Sequence, residues 1–279
     1  MTAYTRTIRA SLAATLTLVA TAHATAQGYS YDVSTSGTDP RNNTTVVMSA
    51  SHGRWTKGFT RIDIVSSPAR TGMMGAGTYM ISVAGTGITT FVDPTKKQYY
   101  EMNAKELASQ SAEMQSAVSS VAKIEIVDAH ADMEELGAGE PIEGYATLKY
   151  RLTQSYTMRM TVLGRANDTK EHSVSEIWVA PELSADLNPN SRPAAATNGM
   201  MQALTEAVAK AYAKVKPGVM LRMINTSAAG EGAKARNHTT TMTVSNFKRE
   251  SFASSLFQVP TGYTKIDSPF DALNAGKKP

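Results

Sequence analysis

The feature that most constrains the fold of this 279-residue chain is the alternation of apolar and polar residues at every second position. It is clearest in the middle of the chain, where the alternating apolar residues are Tyr150, Leu152, Tyr156, Met158, Met160 and Val162. Successive side chains of a β-strand point to opposite faces, so this period predicts strands with one buried face and one wet face. Residues 171–179 predict the next strand, which ends before Pro181.

Short strands separated by turn signals are predicted in the first third of the chain. The apolar runs 79–83 and 88–92 flank a segment that contains Gly85 and Gly87, which is typical of a tight turn between paired strands. A second turn is predicted at Pro94, whose fixed φ suits a turn position. These signals predict a meander, in which each strand pairs with the next one along the chain.

Two amphipathic helices are predicted, at residues 104–121 and 193–215, because their apolar residues recur at helical spacing. Strands and helices do not alternate one by one, so a parallel sheet is not expected. An antiparallel sheet of many strands tends to curl. We therefore expect a mainly β (α+β) domain, in which a curved antiparallel sheet forms a half-open β-barrel covered by the two amphipathic helices.

The first 26 residues have the layout of a secretory signal peptide. A basic start with Arg6 and Arg9 precedes a short apolar run, and cleavage is predicted near Ala26. The run is shorter than the roughly 20 residues that span a membrane, and no later segment has the pattern of a transmembrane helix. The sequence thus predicts a signal peptide at 1–26, one domain at 27–265, a weakly ordered tail at 266–279, and a periplasmic location.

Composition narrows the function classes. Removal of the leader would lower the formal net charge from +4 to +2, because two arginines and no acids are lost. No dense basic patch interleaves with aromatic residues, so nucleic acid is not an expected partner. The chain has no cysteine, so the exported domain has no disulfide and must rest on its own core.

Methionine is the residue type that most indicates a ligand cavity, since 15 are present and their side chains adapt to irregular apolar guests. The alternative is that they only fill a core between the sheet and the helices. The predicted lining of an apolar cavity is Met114, Met158, Met160, Met200, Leu204, Val208 and Tyr212.

Catalytic and metal-binding patterns are weak. Asp128, His130, Asp132 and Glu134 alternate, so in a regular strand they would share one face and could hold a cation; a solvated acidic face has the same pattern. The sequence contains no Gly-x-Ser-x-Gly elbow and no His-Glu-x-x-His motif. We therefore expect no enzyme activity, no cofactor and no metal, with Asp128, His130 and Asp132 kept as a weak candidate face.

Five segments in order resemble a known family. Their ranges are 88–100, 140–152, 177–183, 217–223 and 255–263, the last reading Leu-Phe-x-Val-Pro-x-Gly-Tyr. Together they resemble the bacterial exported domains of unknown function that share the fold of the outer-membrane lipoprotein carrier and receptor (LolA/LolB-like). The resemblance covers roughly residues 28–263. It implies a curved antiparallel sheet, a helical lid and a cavity for acyl chains, and it carries over no particular functional residue.

Three functions follow as hypotheses. The first is a periplasmic, non-catalytic binding or carrier-like protein for a lipid, an acylated molecule or another apolar ligand. The alternative is a structural or protein-interaction module of the cell envelope with a filled core, which would bind an envelope protein partner. The third is a metal-dependent hydrolase that would use the acidic strand near His130.

Overall fold

The structure is a computed structural model that describes residues 25–39, 44–67, 75–103, 122–162, 164–183, 202–229 and 236–268. These segments contain twelve strands, one α-helix and one short 3-10 helix. The strands are β1 (Thr25–Asp39), β2 (Thr44–Thr56), β3 (Phe59–Ser66), β4 (Tyr79–Val83), β5 (Ile88–Asp93), β6 (Gln98–Asn103), β7 (Ala122–Ala138), β8 (Leu148–Val162), β9 (Arg165–Ala180), β10 (Val219–Ala229), β11 (Arg236–Ala253) and β12 (Thr264–Lys265). The helices are α1 (Gln202–Tyr212) and the 3-10 helix Ser254–Phe257.

All twelve strands belong to one sheet, in the order β12-β6-β5-β4-β3-β2-β1-β11-β10-β9-β8-β7. The sheet is two meanders, β1 to β6 and β7 to β11, joined where β1 pairs with β11. Every pairing is antiparallel except that of the two-residue strand β12 with β6. The predicted antiparallel meander is therefore present, with β4 and β5 at the positions that the turn signals indicate.

Local chemistry fixes these turns. Between β5 and β6 the Asp93 carboxylate accepts hydrogen bonds from the backbone N–H groups of Thr95 and Lys96, at 3.0 and 3.1 Å. Such a side-chain bond closes a turn that the backbone alone would hold weakly. Between β4 and β5 both Gly85 and Gly87 have positive φ, which glycine adopts without steric cost.

Both faces of the sheet are covered around β9. The sequence predicted strands with one solvent-exposed face, so this double covering was not expected. Ile177 and Val179 pack in a cluster that includes Ala211 of α1. Trp178 and Ala180, which alternate with them along the strand, pack in a different cluster with Ile142 from the loop between β7 and β8. Since neighbouring side chains of a strand point to opposite faces, the helix covers one face of β9 and this loop covers the other.

The expectation of a half-open barrel covered by two helices is wrong. Within the described segments, the end strands β7 and β12 each pair with one neighbour, and barrel closure would require the two ends of the sheet to meet. The described residues contain one α-helix, of 11 residues, which spans about 16 Å, whereas twelve strands spread over about 50 Å. The predicted helix at 104–121 lies outside the described residues, as does 193–201 of the second one.

The end of β11 and the 3-10 helix that follows it cover part of the first meander. Phe252 and Phe257 pack on Tyr79, Ile81 and Val92 of the first meander. Arg61 holds the 3-10 helix on the sheet, because its Nη1 donates a hydrogen bond to the backbone oxygen of Leu256 at 3.0 Å. The sheet is thus covered by different segments at different places.

The predicted domain limits fall as follows. Strand β1 begins at Thr25, next to the predicted cleavage site at Ala26. At the other end, the backbone N–H of Ile266 donates to the oxygen of Tyr99 at 2.9 Å, and Ser268 is buried. The first residues of the predicted tail are therefore packed on the sheet, and residues 269–279 lie outside the described part. In the segments that the structure describes, no helix has the length and apolarity to cross a membrane.

Candidate ligand pocket

Helix α1 forms one wall of the candidate site. Leu204, Val208 and Tyr212 recur every four residues, so they lie along one side of the helix. Leu204 and Ala211 are buried against the sheet. A helix of this length is marginal in isolation, so its contacts with the second meander hold it in place.

The C-terminal end of the helix is fixed to the sheet by three polar contacts. The backbone N–H of Lys216 donates to the hydroxyl of Tyr150 at 3.3 Å. Lys214 pairs with Asp132 at 2.6 Å, and Lys216 pairs with Glu135 at 3.3 Å. The two ion pairs are solvent-exposed and contribute little to stability, whereas Tyr150 is buried and anchors the chain directly after the helix.

A cavity of about 450 Å³ lies between α1 and strands β8 to β11. This volume is within the range of small-molecule pockets. Its lining consists of three helix residues and eleven strand residues: Leu204, Val208, Tyr212, Leu152, Gln154, Tyr156, Glu171, His172, Ser173, Ser175, Met223, Asn225, Ser227 and Thr240.

Strand register arranges the floor of the cavity in rows of increasing polarity. In the sheet beneath the helix, Tyr150, Ile177, Met223 and Met242 form the first row, of which Met223 lines the cavity and the buried Tyr150 and Ile177 pack in the cluster of Ala211. Leu152, Ser175, Asn225 and Thr240 form the second row, Gln154, Ser173 and Ser227 belong to the third, and Tyr156 with Glu171 begins the fourth. Rows along a strand are spaced by two residues, or about 6.6 Å. The floor therefore changes from apolar to polar over roughly 20 Å, while the helix wall stays apolar throughout.

Hydrogen bonds hold the polar part of the floor. The Ser175 hydroxyl, which is buried, donates to Asn225 Oδ1 at 2.9 Å. A longer bond of 3.4 Å runs from the Ser173 hydroxyl to Gln154 Oε1. Because side chains on neighbouring strands bond to one another, the floor is preorganised, and the amide groups keep further donors and acceptors for a guest.

One carboxylate, Glu171, sets the electrostatics of the polar end. Burial raises its pKa above the ordinary value of a glutamate. The pKa of Tyr156, its cross-strand neighbour, is raised first by burial and then by the negative charge of Glu171. The pKa of Tyr212 on the helix wall is also raised by burial. Burial in the pocket thus disfavours the charged forms of these three groups, and Glu171 is the one carboxylate among the described lining residues.

The structure brings together some of the predicted lining residues. Leu204, Val208 and Tyr212 line the cavity. Met158 and Met160 lie on the same face of β8 as Leu152 and Tyr156, but further along the strand and outside the cavity, with Met160 37% exposed. The other two predicted residues, Met114 and Met200, lie outside the described residues.

Sequence reasoning missed the polar lining. Ser173, Ser175, Asn225 and Ser227 read as the wet positions of alternating strands, although they lie on the face that the helix covers. One signal could have identified these polar lining residues. They occupy the same alternate positions as the buried apolar residues of their strands, and they lie opposite one another on neighbouring strands. The second part of this signal depends on knowing which strands pair. Because the helix lies between β9 and β10 in the sequence, local patterns do not show that these two strands are neighbours.

The weak candidate metal face is not assembled as expected. The pairing of β7 with β8 shifts register between Val127 and His130, and Asp128 has a positive φ of 54°, so a bulge breaks the alternation there. Asp132 bonds to Lys214, which lowers the pKa of its carboxyl group. Among the described residues, no three His, Asp or Glu side chains lie close enough together to hold a metal ion.

The fold and the pocket define a class of architecture: a single, almost entirely antiparallel sheet of two meanders, with a short helix that forms one wall of a mixed apolar and polar cavity over the second one. Comparison with known proteins finds no matching family model and no significantly similar curated protein. The resemblance to LolA/LolB-like domains stays a prediction.

Proposed function

We propose that this protein is a periplasmic binding protein for an apolar or acylated ligand, held between α1 and the second meander. The observation that carries the proposal is the cavity of about 450 Å³ beneath the apolar stripe of the helix. A structural module with a filled core, the alternative from the sequence, gives no reason for such a space. Export to the periplasm rests on the sequence of the first 26 residues alone.

The binding energy would come from burial of the ligand. Each CH₂ group moved from water into an apolar site contributes about 0.8 kcal/mol, so a chain of eight such groups contributes about 6 kcal/mol before the costs of association. Leu204, Val208, Tyr212, Leu152 and Met223 supply the apolar contacts for such a chain. The proposed role requires no covalent chemistry.

Access to the cavity would be controlled by the helix. Helix α1 is short, and the segment directly after its C-terminal end is attached to the sheet, where the Tyr150 hydroxyl accepts the hydrogen bond from the backbone N–H of Lys216. Movement of the N-terminal end, which carries Leu204, would open the cavity without breaking the sheet. The sheet provides the rigid half of the site and the helix provides the adjustable half.

The test has two parts. Protein expressed with its own leader is purified from the periplasm, and its bound lipids are extracted and identified by mass spectrometry. The purified protein is then titrated with an apolar fluorescent dye, 1-N-phenylnaphthylamine. We expect Val208→Trp, which places a large ring in the cavity, to weaken dye binding at least tenfold.

The control is Ala209→Trp, which adds the same ring at the next, exposed position of α1. We expect it to leave dye binding unchanged. Absence of extractable lipid, together with dye binding that is equal in the two variants and the wild-type protein, would contradict the proposal.

A further inference from the structure

The chemistry of the cavity floor limits the ligands that fit the proposed site. A purely apolar chain would match Met223 and Leu152 at one end of the floor, but it would place no polar group against Gln154 and Glu171 at the other end. Ser175 donates to Asn225, and Gln154 Oε1 accepts one hydrogen bond from Ser173, which leaves it one further lone pair; the Glu171 carboxylate lines the same polar end and has accepting oxygens of its own. Covering polar groups without giving them a partner is unfavourable, so the guest that binds best also has a polar part.

The sign of the charge narrows that polar part further. Among the described residues, those that line the cavity include one carboxylate, Glu171, and one histidine, His172, but no lysine or arginine. An anionic head group would be placed near like charge in a partly desolvated site, which is unfavourable. A head group that donates hydrogen bonds, through hydroxyl or ammonium groups, would instead pair with the carboxylate and with the amide oxygens.

The orientation of the guest follows from the rows. The apolar first row, which includes Ile177 and Met223, lies where Ala211 of the helix packs on the sheet. Met223, which lines the cavity, lies opposite Ile177, and Glu171 lies six residues from Ile177 on β9, so about 20 Å along the strands separate Met223 from the row of Glu171. An extended chain would therefore lie along the strands, with its tail against Met223 and Leu152 and its head at the Glu171 end.

We infer that the ligand is a single-chain amphiphile with a non-anionic, hydrogen-bond-donating head group, which Glu171 binds at the polar end of the pocket. This inference rests on the proposed function, since it assigns the head-group preference of the same cavity. Glu171 acts as a specificity-determining residue: it admits hydroxyl and ammonium head groups and rejects carboxylates of the same chain length.

The experiment compares three probes of equal chain length by calorimetric titration at pH 7: 1-decanoylglycerol, decylamine and decanoate. We expect the first two to bind at least tenfold more tightly than decanoate. In Glu171→Gln the difference narrows to less than threefold, because the negative charge is removed and the shape is kept. Glu176→Gln is the matched control, since Glu176 lies on the opposite face of the same strand, paired with Lys149, and should keep the full preference.

The outcomes distinguish failure of the head-group inference from failure of the proposed binding function. Equal binding of the three probes, tighter binding of decanoate, or an unchanged preference in Glu171→Gln overturns the head-group inference and leaves the cavity as a binding site. Binding of none of the probes overturns both. Val208→Trp serves as the check that the measured heat comes from this cavity, and all binding should be lost in it.

Discussion

At the scale of single residues, Tyr31 shows how tightly the central strands are packed. Its side chain is 3% exposed and its ring lies against the backbone of Gly53, where an added Cβ would come within 2.4 Å of the ring. The Tyr31 hydroxyl is buried and has no hydrogen-bond partner among the residues that the structure describes. A buried polar group in that state costs about 1–3 kcal/mol, so this hydroxyl opposes folding although the ring favours it.

Tyr31→Phe should therefore raise the free energy of unfolding, by about 1 kcal/mol, when it is measured by urea denaturation at pH 7. Tyr150→Phe is the matched control. The Tyr150 hydroxyl is buried too but accepts a hydrogen bond from Lys216, so its loss should lower stability by a similar amount. A loss of stability in both variants would mean that the Tyr31 hydroxyl has a partner.

The difference in stability between the wild-type protein and Tyr31→Phe should depend on pH. Burial raises the pKa of Tyr31 to about 12, from an ordinary value of 10.0. A raised pKa means that folding favours the neutral hydroxyl, so this contribution is fully present below pH 10 and is lost as the pH rises toward 12. We expect the wild-type protein to lose stability above pH 10 more steeply than Tyr31→Phe. Parallel curves for the two proteins would contradict the assignment.

At the scale of elements, α1 depends on the sheet for its stability. The helix has 11 residues, and Ala211, 2% exposed, packs with Met133, Tyr150 and Leu152 of the strands beneath it. Its small side chain permits a close approach of helix and sheet. Bulk or charge added on the buried side of the helix, where Ala211 lies, should therefore lower stability. Similar changes on its exposed side should be tolerated.

Ala211→Glu should lower the free energy of unfolding by more than about 2 kcal/mol, because it would bury an unpaired carboxylate in a packed contact. The same change at Ala209, which is exposed on the same helix, should stay within about 0.5 kcal/mol of the wild-type protein. Both values are measured by urea denaturation with circular dichroism. Equal effects at the two positions would show that the helix does not pack in this orientation.

At the scale of the whole molecule, the pairing of β1 with β11 decides the architecture. Strands more than 200 residues apart in the chain meet here, for example at Val33, which lies opposite Val244 on one side and Ser51 on the other. Both meanders depend on this junction to form one sheet. Such distant pairing has a large entropic cost of closure, so it is also expected to form late in folding.

Val33→Pro should lower stability by more than about 3 kcal/mol, because proline removes a backbone donor and cannot fit the middle of a central strand. In hydrogen exchange, strands of both meanders should lose protection together. Val33→Thr keeps the backbone donor and the branched shape, and should cost much less. Full protection of β7 to β10 in Val33→Pro would instead show that the second meander folds by itself.

Much of this fold could be predicted from local patterns. The alternation around Tyr150 and Leu152 and the glycines near residue 85 are short-range features, and strands and tight turns are set by side chains a few residues apart. The helix stripe with Leu204, Val208 and Tyr212 is local in the same sense, and those three predicted residues do line the cavity.

The sequence by itself determined the strand content, the antiparallel meanders and the apolar wall of the pocket, because each depends on neighbours within one or two turns of chain. Only the tertiary structure decided that the sheet stays open, that Asp128 sits in a bulge, and that Ser175 lies beside Asn225 under the helix. These features depend on register between strands that are far apart in sequence, and a shift of one residue moves a side chain to the opposite face. No pattern along a single strand specifies that register.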